Sequence, residues 1–354
     1  MDKEKKKKST KKIWLTLLFI AINIAVIAIT AFNEFGNSEN AAELSTVKIN
    51  FWYLIPATIC FIIAILLEIY KLVLSMRKTC GKETKDIWKH ARRTYLIGRY
   101  YDNITPAAIG GQPFQIYYMN KNANIKGGLA TTIPIISMIS GQIGFLIVAT
   151  ACLLFGSATT SNTALIAAAC FGLIFYAFWP IAVLAATFLP KATSELITLG
   201  VRFLAKIHII KDRDAAIEKA DKGIEEYAKC VKMILKTRGL FFSTILISII
   251  FHILISSIPY FVLTAFGAQI DFLPCFVSVI AVTSAVYFVP TPGNAGAAEG
   301  TFYAVFSALS SGYVFWAMLI WRFFSYYVYI IMGGIAYLRM YLEKRKKKNI
   351  GQKP

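Results

Sequence analysis

The sequence predicts an all-α polytopic membrane protein with six full spans and two broken, re-entrant helical hairpins, about eight spans in all, and a candidate inverted repeat. Three observations carry this. The 354 residues are 57% hydrophobic, with a mean hydropathy of +0.58, far beyond a soluble domain. Apolar runs recur at about the 20 residues that cross a bilayer. Two further apolar stretches are interrupted by proline and glycine, which disfavour a continuous helix.

Charge fixes the expected orientation. The chain carries 38 Lys and Arg against 19 Asp and Glu, a net charge of +19. No zinc-finger or RNA-binding pattern accompanies that charge. The basic residues cluster between and beside the apolar runs, which reads as cytoplasmic loops and not as a nucleic-acid surface. Six cysteines occur without CxxC or Cys/His spacing, so no metal site, disulfide framework or cofactor is indicated.

Residues 1–12, with seven lysines, form a basic cytoplasmic tail. The run 13–32 is long for a signal-peptide core and reads as a retained first helix. Residues 33–49 are polar and external, and 51–76 cross back. Residues 77–99 hold eight Lys and Arg against two acids, so they are cytoplasmic. The stretch 95–120 is only patchily apolar and contains Arg99, Asp102, Pro106, Gly110, Gly111, Gln112 and Pro113. As a full span it would turn the eleven cations of 190–239 outward; a hairpin that enters and leaves on the cytoplasmic side avoids this.

Runs 127–155 and 164–189 make two spans joined by a short uncharged turn. In the linker 190–239, Ile217, Ala220, Ile224, Tyr227, Val231 and Ile234 recur at helical spacing among charges. That pattern suits a helix on the inner membrane surface, or one packed on a neighbouring loop. Run 240–266 leads outward. Residues 272–309 enter from outside, break and return, and 313–338 cross inward to the basic tail 341–354. The integral membrane domain is thus 13–340, in the cell membrane, with both termini cytoplasmic.

The second break, residues 289–300, holds Pro290, Pro292, Gly293, Asn294, Gly296 and Glu299. A broken helix in hydrocarbon survives only inside protein or beside water, and an intramembrane carboxylate marks a functional site by default. Thr105-Pro106 with Gly110, Gly111 and Phe114 echoes Thr291-Pro292 with Gly296 and Phe302, the basis for the inverted repeat. Arg322 lies well inside the last span and needs an anionic partner or a lipid phosphate. Glu299 is its nearest protein partner in sequence, and a structural ion pair is the plain alternative to a binding role. Asp102, Asn294, Gln112 and Gln115 are further polar groups for a headgroup path. Gln142 reads as a helix–helix contact, and His252 as a packed histidine. Glu68 and Lys71 lie near a span end and are expected to reach the interface.

The segments 103–114 and 289–299, followed by Arg322, resemble the lysylphosphatidylglycerol synthase transmembrane-region family, the membrane half of the bacterial multiple peptide resistance factor. The resemblance covers 13 to about 340. Gly293-Asn294 departs from the Gly-Gly expected there. The resemblance implies a flippase-like translocase of a phospholipid, anionic or aminoacylated, such as lysylphosphatidylglycerol. Arg322 would hold the phosphate, and Glu299 and Asp102 would attract a cationic headgroup or organise Arg322. Full-length relatives add a soluble domain that transfers lysine from lysyl-tRNA; that domain is expected to be missing here. The alternative within the family is a phosphatidylglycerol lysyltransferase that confers resistance to cationic peptides and antibiotics, alone or with a separate synthase chain. A DedA-type transporter is the alternative outside it. The implied partners are membrane phospholipid, a synthase chain or a second copy, with no direct nucleic-acid contact.

Overall fold

The computed structural model describes residues 49–349, except 81–83, 106–109, 126–127, 157–161, 207–212, 237, 288, 290 and 310. The N-terminal tail, the first apolar run 13–32, Pro106, Pro290 and the end of the basic tail lie outside the described residues. Among those described, every regular element is a helix. Five helical segments are long and apolar enough to cross a membrane: Phe51–Cys80, Gly128–Gly156, Thr163–Phe188, Gly239–Ala265 and Val314–Glu343. The protein is a multi-pass, all-helical membrane protein.

In chain order the helices are α1 (Leu54–Cys80), α2 (Thr84–Ile104), α3 (Gly111–Asn122), α4 (Gly128–Gly156), α5 (Thr163–Phe188), α6 (Pro190–Lys206), α7 (Arg213–Lys236), α8 (Arg238–Ala265), α9 (Phe272–Val286), α10 (Ala297–Phe306), α11 (Ser311–Arg322) and α12 (Val328–Asn349). A π-helical turn, Phe323–Tyr327, joins α11 to α12. The helix starts follow local chemistry. Asn162 caps α5, its Oδ1 accepting from the Leu165 amide at 2.9 Å, and Pro190 opens α6 where no backbone donor is needed.

Helix α8 is the central post, packed on α1, α4, α9 and α11. Small residues let backbones approach. A Cβ on Gly144 would lie 2.8 Å from Ser248, and one on Gly172 would lie 1.9 Å from the Ser284 carbonyl oxygen. The first pair joins α4 to α8, the second α5 to α9. Large side chains on the outer face, such as Phe155, Ile174 and Ile181, stay exposed, as a lipid-facing surface requires.

Both broken segments form helix–break–helix units. Helices α2 and α3 pack on each other, and so do α9 and α10. The latter pair has 15 and 10 residues, about 22 and 15 Å of rise, too short to cross about 30 Å of hydrocarbon. The linker 190–239 becomes two helices, α6 and α7, packed on one another. Helix α7 also packs on α4, α5 and α8, burying Ile224 and Val231. Its apolar face therefore meets protein instead of lying on the membrane surface. Ile217 is half-buried on the same helix, while the side chains of Ala220, Tyr227 and Ile234 lie outside the described residues.

Candidate membrane-embedded polar site

The first break begins where α2 runs out at Ile104. Thr105 donates its hydroxyl to the Tyr101 carbonyl at 2.7 Å and accepts the Gly110 amide at 2.9 Å. The hydroxyl thus bridges the two ends of the break. Asp102, one turn earlier, accepts the Gly111 amide at 2.9 Å and caps α3. Phe114 stacks on Tyr101 with ring centroids 3.4 Å apart. Gln112 and Gln115 are half-buried on α3, and Gln115 lies over Gly98, where a Cβ would come within 2.0 Å of its Nε2.

The second break is a tight 3-10 turn, Pro292–Asn294. Gly293, Asn294 and Gly296 have φ of 60°, 54° and 88°. Such left-handed geometry costs most residues about 1–2 kcal/mol, while Gly and, less freely, Asn visit it. This accounts for Asn294 in place of glycine: the position demands left-handed backbone, and Asn is the side chain that tolerates it.

The charged pair closes this turn. Glu299, 2% exposed, accepts the Gly296 amide on one oxygen at 2.8 Å. Its other oxygen accepts Arg322 Nε at 2.6 Å. Arg322, 4% exposed, also donates Nη2 to the Gly293 carbonyl at 3.1 Å, and its guanidinium lies 4.7 Å from the Tyr326 ring centroid. The positive end of α10 is therefore occupied by the chain's own carboxylate.

Tyr326, on the π-helical turn, joins the two breaks. Its ring covers Gly293, where a Cβ would come within 2.1 Å. Its hydroxyl donates to the Asn103 carbonyl, and Asn103 Nδ2 donates back to the Tyr326 carbonyl, both at 3.4 Å. Asn103 stands just before the first break. The structure thus brings Arg322, Glu299, Asn294 and the turn glycines together and sets that cluster against the end of α2, where Asp102 caps the other hairpin.

Other sequence expectations fare differently. Lys71 does not reach the interface: it is 1% exposed. Its Nζ donates to Glu68 at 2.6 Å and to Ser248 at 3.0 Å, a bond from α1 to α8. The long side chain turns inward because a carboxylate and a hydroxyl offer partners there. His252 is a packed histidine, its Nε2 3.1 Å from the Gly141 carbonyl and its ring against Phe145. Gln142 donates to the Tyr287 hydroxyl at 3.4 Å, a helix–helix contact.

Sequence reasoning missed two features. One is the π-helical turn, a form frequent at functional sites, for which sequence has no pattern. The other is the group Tyr95, Arg99 and Tyr329. Arg99 stands 4.5 Å from the Tyr329 ring centroid, and the Tyr95 and Tyr329 rings are 6.3 Å apart. Arg99 reads in sequence as the last cation of a cytoplasmic loop; its position within the amphiphilic stretch 95–120 was the available signal.

A family model described as lysylphosphatidylglycerol synthase TM region matches residues 13–333. No curated protein and no solved structure matches the chain.

Proposed function

Because the chain belongs to the lysylphosphatidylglycerol synthase transmembrane-region family, we propose that it moves a phospholipid between leaflets, anionic or aminoacylated, with lysylphosphatidylglycerol as one such cargo. The observation that carries this reading is the meeting of two helix breaks at Tyr326, Asn103 and Gly293. Irregular backbone at membrane depth is tolerated where it is buried or lines a polar path. In this reading the two breaks, in contact at rest, part to admit a polar headgroup whose acyl tails stay in lipid.

In this reading the Arg322–Glu299 pair closes the junction at rest. A lipid phosphate competes with Glu299 for the Arg322 fork as the headgroup passes. Glu299 and Asp102 supply negative charge for a cationic headgroup, and Asn294, Gln112 and Gln115 supply neutral polar contacts. Both termini, residues 77–99 and the linker 190–239 face the cytoplasm, following their cations. Cysteines placed at 37–45 should react with an external reagent in intact cells, and cysteines at 211–232 should not; labelling of the linker from outside would reject this orientation.

The test of function is leaflet redistribution of labelled phosphatidylglycerol and lysylphosphatidylglycerol in vesicles reconstituted with the purified protein. Redistribution above protein-free vesicles, with no change in lipid chemistry, is the expected result. Lysyl transfer from lysyl-tRNA without redistribution would instead make the chain a lysyltransferase.

A further inference from the structure

We propose that Tyr95, Arg99 and Tyr329 form a phosphate-binding subsite between α2 and α12. The inference rests on the translocase reading and assigns the place where the lipid's phosphate rests before it meets Arg322.

Several buried polar atoms meet between α2 and α12. Among the described residues, the buried side-chain atoms with no hydrogen-bond partner are Thr94 Oγ1, Tyr95 Oη, Arg99 Nε, Gln142 Oε1, Ser325 Oγ and Tyr329 Oη. Leaving such a group without a partner is costly, so native structures keep few. Here all but Gln142 come from one stretch of α2, from the π-helical turn (Ser325) and from the start of α12 (Tyr329), and α12 packs on α2. Tyr95 and Tyr329 are 3% and 1% exposed, so bulk water does not serve their hydroxyls, which act on each other and, from Tyr329, on Arg99.

Chemistry then selects the ligand. A guanidinium only donates, and phenol and alcohol hydroxyls can all donate. A cluster able to present several donors around one permanent cation suits an oxyanion. The carboxylates that act on Arg99 are Asp102 and Glu68. Neither makes a salt bridge to it among the described residues. Asp102 holds the Gly111 amide, and Glu68 holds Lys71. A phosphate can therefore bind Arg99 without breaking an ion pair, whereas at Arg322 it must displace Glu299. The two arginines are linked through the π-helical turn, with Arg322 against Tyr326 and Arg99 against Tyr329. That places a resting subsite and a closed junction on the same stretch of chain.

The probe is phosphatidylglycerol bound to the purified full chain, quantified by native mass spectrometry. Replacing both phenols, with Tyr95→Phe and Tyr329→Phe together, keeps the rings and removes only hydroxyls. Occupancy at fixed lipid should fall about tenfold or more, the scale of one lost hydrogen bond to a charged group. Arg99→Lys should weaken binding similarly by losing the planar fork. Unchanged occupancy in both variants overturns the subsite. Inorganic phosphate at millimolar concentration should not displace the lipid; a site that holds phosphate ion and releases phosphatidylglycerol overturns the lipid assignment. The inference and the functional reading fail separately. A double-phenylalanine variant that binds and moves lipid as the native protein does removes only the subsite. A native protein that binds lipid through these residues but moves none removes only the translocase.

Discussion

The two helix breaks solve one problem in opposite ways. Each must satisfy backbone amides exposed where a helix restarts in the membrane, and each uses a carboxylate: Asp102 on Gly111, Glu299 on Gly296. Each has a threonine bonding across or along the break and an aromatic of its motif stacked on a neighbour, Phe114 on Tyr101 and Phe302 on Trp321. They differ in their arginine. At the second break Arg322 is bonded to the capping carboxylate and to a carbonyl of the turn. At the first, Arg99 stacks on a tyrosine and leaves Nε unbonded. One break is tied shut by its own chain, and the other keeps a cation beside the cap. A protein that admits an anion needs the second arrangement somewhere.

The sharpest way to break the comparison is to remove the tied arginine. Arg322→Leu leaves Glu299 buried and unpaired, and should cost about 3–5 kcal/mol of stability, read as a large fall in the melting temperature in detergent. Gly293→Ala comes next. Its Cβ would collide with the Tyr326 ring, and its φ of 60° adds about 1–2 kcal/mol of strain. The melting temperature should drop, and the contact between the breaks should loosen. Asp102→Ala removes a cap with no bonded arginine behind it, so its cost should be about 1 kcal/mol; a loss as large as that of Arg322→Leu would erase the distinction between the breaks. Smallest is Asn294→Gly, which accepts the same left-handed backbone. It should leave stability within about 1 kcal/mol of native, while Asn294→Val should not.

A further variant separates shape from charge. Pro292→Ala with Gly293→Ala should favour continuous helix through the second break and reduce lipid movement with no charge altered. Native-rate movement in a folded double variant would show that the break has no part in transport.

Much of this arrangement was legible in the sequence because membrane constraints are severe. The spans follow from run lengths, and both hairpins follow from Pro and Gly at positions where a helix has no aqueous partner for its broken bonds. The Glu299–Arg322 pair was legible because charges in hydrocarbon have few choices of partner. Lys71 was not. Its place near a span end suggested an exit to the interface, and only tertiary packing brings Ser248 to it. The face of α7 was ambiguous for a related reason: periodicity gives an apolar stripe without saying whether lipid or protein covers it. Tyr95, Arg99 and Tyr329 stayed hidden because the cluster joins residues more than two hundred positions apart, and a tyrosine in a membrane segment carries no local mark of the groups its hydroxyl will face.

The most direct test measures lipid redistribution and melting temperature together for Arg99→Leu and Arg322→Leu in one series of preparations. The account predicts a separation: Arg99→Leu melts close to native but binds little phosphatidylglycerol and moves it slowly, whereas Arg322→Leu loses stability first. An Arg99→Leu protein that moves lipid at the native rate, beside an Arg322→Leu protein that melts like the native chain, would contradict it.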